Sequence, residues 1–280
     1  MPQNGVRKRF LDFGTTKPGS IAILQLKIVF SGTANPDSYE GDNNMLHHLQ
    51  TADFFFEISD CGARICALCY SGRDVLQRCS EMEAQQNPDL CGGFPLLPLA
   101  NRVQGNAYVI AGEQVNLPLN APNGSELLHG FGWQERWQLV DLQQNSARAQ
   151  LTLLHEHLPG VSGYDYRARL YINLYKNQFV WGLQLQPLNN RARWYGLGFH
   201  PYFAASSQCR LQFKAVGYYP ETTGHLSAPF KSEIPAEFDF STARALPARF
   251  INHCYLLKEH GIRLNRPDGL TISMQSPATT

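Results

Sequence analysis

The apolar positions of this chain recur mostly with a period of two. Between residues 166 and 174, Tyr166, Ala168, Leu170, Ile172 and Leu174 alternate with Arg167, Arg169, Tyr171 and Asn173. Between 179 and 186, Phe179, Trp181, Leu183 and Leu185 share one side, and Gln184 and Gln186 take the other. Successive side chains of a strand point to opposite faces, so this alternation predicts half-buried antiparallel strands. Residues 54–58, 108–110, 149–154 and 209–213 extend the pattern. Lys176-Asn177 and Arg266-Pro267-Asp268-Gly269 supply turn chemistry between runs. Helical signals are sparse. The polar stretch 79–90 has room for one short helix, and no amphipathic stripe of about 10 to 12 residues stands out. The periodicity predicts an all-β chain and leaves sandwich and barrel open.

Residues 50–280 contain no internal repeat and no linker-like break. The ends depart from the pattern. Residues 31–50 are rich in Asn, Asp, Ser and Gly, and close on Met45-Leu46-His47-His48 just before the first clear strand. Residues 1–44 are therefore expected to be a loosely structured N-terminal extension ahead of a domain spanning 45–280. At the other end, the chain stops soon after the second strand of a hairpin, which leaves a strand edge in need of cover.

Lys plus Arg number 24 and Asp plus Glu 23, a formal net charge of +1. That balance lacks the basic excess of a nucleic-acid or anionic-membrane partner. With 43% hydrophobic and 17% charged residues, the composition is that of a packed core rather than a disordered chain. The cluster Arg7, Lys8, Arg9 is not followed by a long apolar stretch or a small-residue cleavage site. No apolar run approaches the ~18 residues of a membrane span. A cytoplasmic protein is expected, so the glycosylation spacing at Asn123-Gly124-Ser125 has little meaning. The seven cysteines, Cys61, Cys66, Cys69, Cys79, Cys91, Cys209 and Cys254, are odd in number. Cys66 and Cys69 lack a second ligand pair. Reduced thiols in a strand-rich core are the favoured reading.

Three segments are denser in unusual residues than packing requires. In the first, Gly92-Gly93-Phe94-Pro95 leads to a Pro-bounded turn that delivers Asn101 and Arg102; no phosphate-binding spacing accompanies the glycines. In the second, Leu128-His129-Gly130-Phe131-Gly132-Trp133 sets a histidine among glycines and aromatics, a combination suited to a sugar-sized pocket. In the third, His200-Pro201-Tyr202-Phe203 holds a histidine extended before proline, well placed for general acid or base chemistry. His155-Glu156-His157 puts two histidines on one face of a strand. Without a third ligand fixed by sequence, it is taken as surface charge on a strand.

Taken in order, Gly92 to Pro95, Asn101-Arg102, Leu128-His129-Gly130 with Trp133, and His200 to Phe203 resemble the aldose 1-epimerase (galactose mutarotase) family. Gly62-Ala63-Arg64-Ile65 and Asp74-Val75-Leu76 resemble that family's opening strands, and the likeness runs from about Phe54 onward. The resemblance implies an all-β fold: a large antiparallel β-sandwich, the galactose mutarotase-like supersandwich, with a sugar cleft across one sheet. It implies an isomerase that interconverts the α and β anomers of a free aldose of the galactose/glucose class by acid/base ring opening. Related hexose-6-phosphate epimerases lack the Asn-Arg pair in this context, which favours a non-phosphorylated sugar.

In the resemblance, His200 is the acid. His129 and Arg102 bind sugar oxygens and stabilise developing charge, and Asn101 holds the arginine or the ring hydroxyls. Asn252 stands where the family has an Asp that binds sugar hydroxyls and is expected to bind substrate there, keeping one acceptor oxygen but losing the charge. The family's base is a Glu on a later strand, expected beyond Thr280; Glu259, in a turn-like stretch, is not expected to replace it. No metal and no organic cofactor are implied. The implied partner is a small-molecule sugar, with no nucleic acid and no membrane, and the chain is expected to be a monomer or weak dimer. The alternative is a carbohydrate-binding protein or inactive family member without turnover.

Overall fold

The computed structural model describes residues 22–31, 45–120, 124–160 and 162–276. Its strands, in chain order, begin with β1 (Ala22–Ser31), β2 (Leu46–Gln50), β3 (Phe54–Ser59), β4 (Ile65–Tyr70), β5 (Arg73–Asp74) and β6 (Gly93–Leu96). There follow β7 (Ala107–Ile110), β8 (Glu113–Asn116), β9 (Gln138–Gln144), β10 (Arg148–His157), β11 (Tyr166–Tyr175) and β12 (Gln178–Pro187). The last are β13 (Gly198–Pro201), β14 (Arg210–Tyr219), β15 (Arg244–Ala245), β16 (Cys254–Asn265) and β17 (Thr271–Gln275). The expected short helix is α1 (Glu81–Gln86), entered through a capping box in which Ser80 and Glu83 satisfy each other's backbone N–H groups.

Two antiparallel sheets make the body. The larger runs β15-β14-β16-β17-β1-β12-β11-β10-β9, and the smaller runs β13-β6-β4-β3-β2 with β5 attached to β4. A hairpin of β7 and β8 stands apart. The period-two runs behave as their sequence predicts. On β11, Tyr166, Ala168, Leu170, Ile172 and Leu174 are buried, and on β12 so are Phe179, Trp181, Leu183 and Leu185. These side chains meet those of the smaller sheet. Phe56 lies 5.7 Å from Phe179, and Trp181 stacks on Phe199 at 4.2 Å. Aromatic pairs in this range add to the burial of apolar area that drives the two layers together. The result is a large antiparallel β-sandwich.

Several expectations need correcting. Residues 22–31 are a ten-residue strand in the middle of the larger sheet, not loose chain. Their physical reason is an alternation of their own: Ala22, Leu24, Ile28 and Phe30 are buried while Ile23, Gln25 and Ser31 are exposed. Phe30 stacks on Tyr70 at 4.7 Å and so also ties the strand to the opposite sheet. The expected bare edge of β17 is absent, because β1 pairs along it from Lys27↔Gln275 to Ser31↔Thr271. Glu259 lies within strand β16 rather than a turn, with its carboxylate on Lys214 at 2.8 Å. The remainder of the expected extension, residues 1–21 and 32–44, lies outside the described residues, as do Asn123 and 277–280. The Cys66-x-x-Cys69 spacing places the two thiols on opposite faces of β4. Cys66 packs with Cys91 and Ala84, while the Cys69 thiol donates to Asp74 at 3.0 Å.

Two isoleucines on β1 test its place in the core. Ile28 is 0% exposed and Ile23 is 61% exposed. Ile28→Ala should lower the unfolding free energy by about 2–5 kcal/mol, whereas Ile23→Ala should stay within about 0.5 kcal/mol. Equilibrium chemical denaturation of the two variants checks both values.

Candidate functional site

Strands β6 and β13 pair in a register that sets Phe94 opposite His200. Their rings stack at 5.1 Å. Gly93 allows this approach. It has φ +153, and a Cβ there would stand 2.8 Å from the His200 carbonyl oxygen and 3.2 Å from Trp181. Tyr202 also stacks on His200 at 4.6 Å and lies 6.1 Å from Phe94, and its hydroxyl donates to Asp89 at 2.7 Å. Trp133 stacks on Phe94 at 5.7 Å. Phe94, Trp133 and Tyr202 thus form an aromatic surface around the imidazole.

The second histidine arrives on the loop after residue 127. His129 adopts φ +60 and Gly130 φ +69, a tight turn laid against the segment 97–101. A Cβ on Gly130 would collide with the Leu97 carbonyl oxygen at 2.2 Å, so only glycine fits. Backbone N–H groups of Phe131 and Gly132 donate to that same carbonyl, at 2.8 and 3.1 Å. Asn120 holds the loop from outside. Its amide donates to the carbonyls of Leu128 and Gly130 at 2.8 and 2.5 Å, and its oxygen accepts from the Leu128 N–H at 2.8 Å. So anchored, the His129 ring lies 5.4 Å from the His200 ring, edge to face.

Asn101 joins the same group. Its backbone N–H donates to Nδ1 of His129 at 3.1 Å, and its carbonyl accepts from the His129 N–H at 3.0 Å. Because Nδ1 accepts, the ring proton of neutral His129 sits on Nε2, which is left as a donor. The Asn101 side-chain oxygen caps the N–H of Arg102 at 2.9 Å. Arg102 bridges to Leu128 on the histidine loop. Among the described residues, its guanidinium has no carboxylate partner.

The electrostatics follow from this packing. Burial, with help from the nearby His200 and Arg102, pushes His129 down to about 3. Burial also lowers His200, against the pull of Asp89 in the opposite direction. Both imidazoles are therefore neutral at pH 7. Burial and the hydrogen bond to Asp89 raise the Tyr202 phenol, keeping it protonated.

The structure thus brings Asn101, Arg102, His129 and His200 together. Asn252 is not part of that network. Its amide donates to Glu221 at 2.8 Å, because that carboxylate is an available acceptor next to it. The neighbouring Cys254 thiol is 3.9 Å from the Asn101 amide, so the start of β16 borders the group. Phe94, Asn120, Asp89 and Tyr202 were not anticipated as contributors. Phe94 lies in a strand with every position buried, so no alternation marks it, and Asn120 acts through loop carbonyls that no spacing rule identifies. A cavity of about 530 Å³, lined mostly by apolar side chains such as Leu211, Phe213, Phe240 and Tyr255, lies on β14 and β16 and includes Ile251 and His253 on either side of Asn252.

The two-sheet antiparallel sandwich is the galactose mutarotase-like fold. The family model for aldose 1-epimerase matches residues 45–279, and the chain belongs to that family. Strand β1 lies outside the matched region. A relative from Escherichia coli K12, the uncharacterised protein YphB, is 34% identical over 184 residues, covering 65% of this chain and 61% of its own length. This chain therefore spans less than two thirds of that relative. Solved structures share the fold. A protein of Escherichia coli K12 provisionally named an aldose 1-epimerase superposes with TM-score 0.73 at 24% identity, covering 82% of this chain and 87% of its own. Galactose 1-epimerase from Lactobacillus acidophilus NCFM gives 0.66 at 17% identity, covering 86% and 77%.

A titration tests the electrostatic picture. A group whose folded pKa lies below its unfolded value loses stability as pH falls through the interval between them. For His129 that interval runs from 6.5 down to about 3. Imidazole NMR should show His129 neutral, with its proton on Nε2, at pH 5. The thermal midpoint should fall on acidification, and fall less steeply in His129→Gln. An imidazolium signal for His129 at pH 5 would contradict the assignment.

Proposed function

We propose that the chain is an aldose 1-epimerase-like isomerase acting on a free, non-phosphorylated aldose of the galactose/glucose class. The observation that supports this most is the pair His129 and His200, 5.4 Å apart beside Phe94, with Nε2–H of His129 left free to donate. Aromatic faces beside polar donors suit a sugar, whose C–H faces pack on rings while its hydroxyls bond at the edge.

In the proposed reaction, His200, neutral at rest, takes up a proton from water and, as the imidazolium, gives it to the ring oxygen. The C1–O5 bond breaks as the C1 hydroxyl gives its proton to a solvent water, producing the open-chain aldehyde. Rotation about C1–C2 turns the other face of the carbonyl to the O5 hydroxyl. Reversal of the proton transfers then closes the other anomer. Burial lowers the proton affinity of His200, so its imidazolium is a stronger acid than in water. His129 acts as a donor from Nε2–H rather than as the proton acceptor. Arg102, without a carboxylate partner among the described residues, stabilises charge that develops on sugar oxygens. Asn101 positions both His129 and Arg102 through its backbone and side chain. Asn252 contributes at the rim only if its amide leaves Glu221.

A second reading, sugar binding without turnover, is favoured by a specific observation. Among the described residues, the carboxylate that acts on His200 is Asp89, and the Tyr202 hydroxyl already occupies it.

Polarimetry of freshly dissolved α-D-galactose and α-D-glucose separates the two. The isomerase reading expects acceleration over the spontaneous rate, reduced by about 10²–10⁴-fold in His200→Asn without loss of fold. Arg102→Ala should lower kcat/KM while circular dichroism stays unchanged. Saturable sugar binding by calorimetry with no acceleration would establish the second reading instead.

A further inference from the structure

His155 and His157 stand two residues apart on β10 and face inward. His155 is 2% exposed, so they are not the surface charge that their sequence suggested. The loop leaving His129 brings Glu135 onto them. Its carboxylate oxygens both lie 2.9 Å from Nδ1 of His157, and Oε2 lies 3.3 Å from Nε2 of His155. One ligand-capable atom from each of the three residues falls within 4.8 Å of the others. Donor atoms ~2.0–2.2 Å from a tetrahedral ion stand roughly 3.3–3.5 Å apart, so only small side-chain rotations separate the two geometries.

The far side of each ring is also built. Nδ1 of His155 lies 3.2 Å from the Arg136 carbonyl, which can only accept, so that nitrogen holds the proton. Nε2 of the neutral ring then presents its lone pair toward a carboxylate oxygen. Acceptor facing acceptor is resolved by a cation between them. Nε2 of His157 lies 3.0 Å from the Ser162 hydroxyl, which can take its proton and leave Nδ1 free to ligate. Outer hydrogen bonds of this kind fix tautomer and orientation in metal-binding histidines. The His157 ring is held flat between Phe131, at 4.4 Å, and Tyr166, at 5.2 Å. A competing donor exists: the Tyr166 hydroxyl lies 3.3 Å from Nε2 of His155.

We propose that Glu135, His155 and His157 bind a zinc-class divalent cation, which clamps the loop carrying His129 to strand β10. Two imidazoles and one carboxylate are a borderline ligand set suited to zinc, and the partly exposed Glu135 leaves a fourth position for water. The role is structural. The ion fixes residues 129–135 against the sheet and lies outside the paired-histidine group.

Cobalt(II) titration of the chelator-stripped 280-residue chain tests this. One equivalent should produce a saturable visible band of tetrahedral intensity, displaced by zinc, and zinc should raise the thermal midpoint. His157→Phe keeps the ring stack but removes the ligand, and Glu135→Gln removes the charge; each should weaken zinc binding by ~100-fold or more. Ser162→Ala should weaken it by ~10-fold, while Tyr166→Phe should leave it intact or tighten it. The proposal fails if the wild-type chain shows neither band nor thermal shift, the outcome expected of a proton-bridged cluster. It also fails if folded His157→Phe and Glu135→Gln bind as the wild type does. An intense near-ultraviolet sulfur charge-transfer band would put the ion on the thiols near Cys66 and Cys91 and likewise overturn it.

Discussion

The larger sheet depends on one strand that is far from its neighbours in sequence. Strand β1 pairs with β12 from Ala22↔Leu185 to Val29↔Gln178 and with β17 from Lys27↔Gln275 to Ser31↔Thr271. On one side of it stand β15, β14, β16 and β17, and on the other β12, β11, β10 and β9. Among the described residues, no other strand joins these blocks within that sheet. Without β1, each block would present a row of unpaired N–H and C=O groups, the edge that proteins take care to cover. Its inward face also fills the space between the sheets, where Phe30 meets both Phe54 and Tyr70. Pairing of this kind closes a loop of most of the chain before any contact rewards it, which favours slow folding.

The paired-histidine group sits on the smaller sheet and depends on close backbone approach rather than on that large sheet alone. Gly93 lets β6 and β13 come together so that Phe94 and His200 stack, and Gly130 lets the His129 loop rest on the Leu97 carbonyl. Asn120 then satisfies both ends of the loop's tightest turn with one side chain. Three hydrogen bonds from Asn120 and the close approach at Gly130 fix His129, a histidine that no regular element carries. The cluster of Glu135, His155 and His157 holds the far end of the same loop, so its two ends are fastened independently.

How much of this was legible follows from which faces are buried. Strands β10, β11 and β12 have one face in the core, so the period of two survives in their sequence and their positions could be read from it. Strand β4 is buried at every position, as is β6, so neither shows alternation. Strand β1 carries apolar residues on both faces, Ile23 and Val29 against Leu24 and Ile28, which obscured a pattern that was present. The same limit applies to His155 and His157. Their spacing places them on one face, but Leu154 and Leu158 make the other face look equally apolar, and the sequence cannot say which is inward. The motifs around Asn101, Arg102, His129 and His200 were legible because they are dense in glycine, proline and histidine. Asn120 and Asp89 were not, because their partners are backbone carbonyls of an irregular loop eight to ten residues on, which no spacing rule marks, and a phenol more than a hundred residues away.

The charge state of the site narrows what chemistry it can support. Two neutral imidazoles and a protonated phenol surround the aromatic surface, so the formal positive charge beside them is that of Arg102. Arginine is a fixed cation, and after burial and the nearby His200 it adds to the lowering of the His129 pKa. Under the proposed function, a neutral sugar would enter such a site without having to neutralise a charge. In the proposed reaction, an oxygen that becomes negative during ring opening would meet a fixed cation and a preset Nε2–H donor, neither of which must reorganise. Interactions that strengthen only as charge develops raise the rate rather than merely tightening binding. The hydrogen bond from the Asn101 backbone is what commits His129 to this donor role, because it occupies the nitrogen that would otherwise take up a proton.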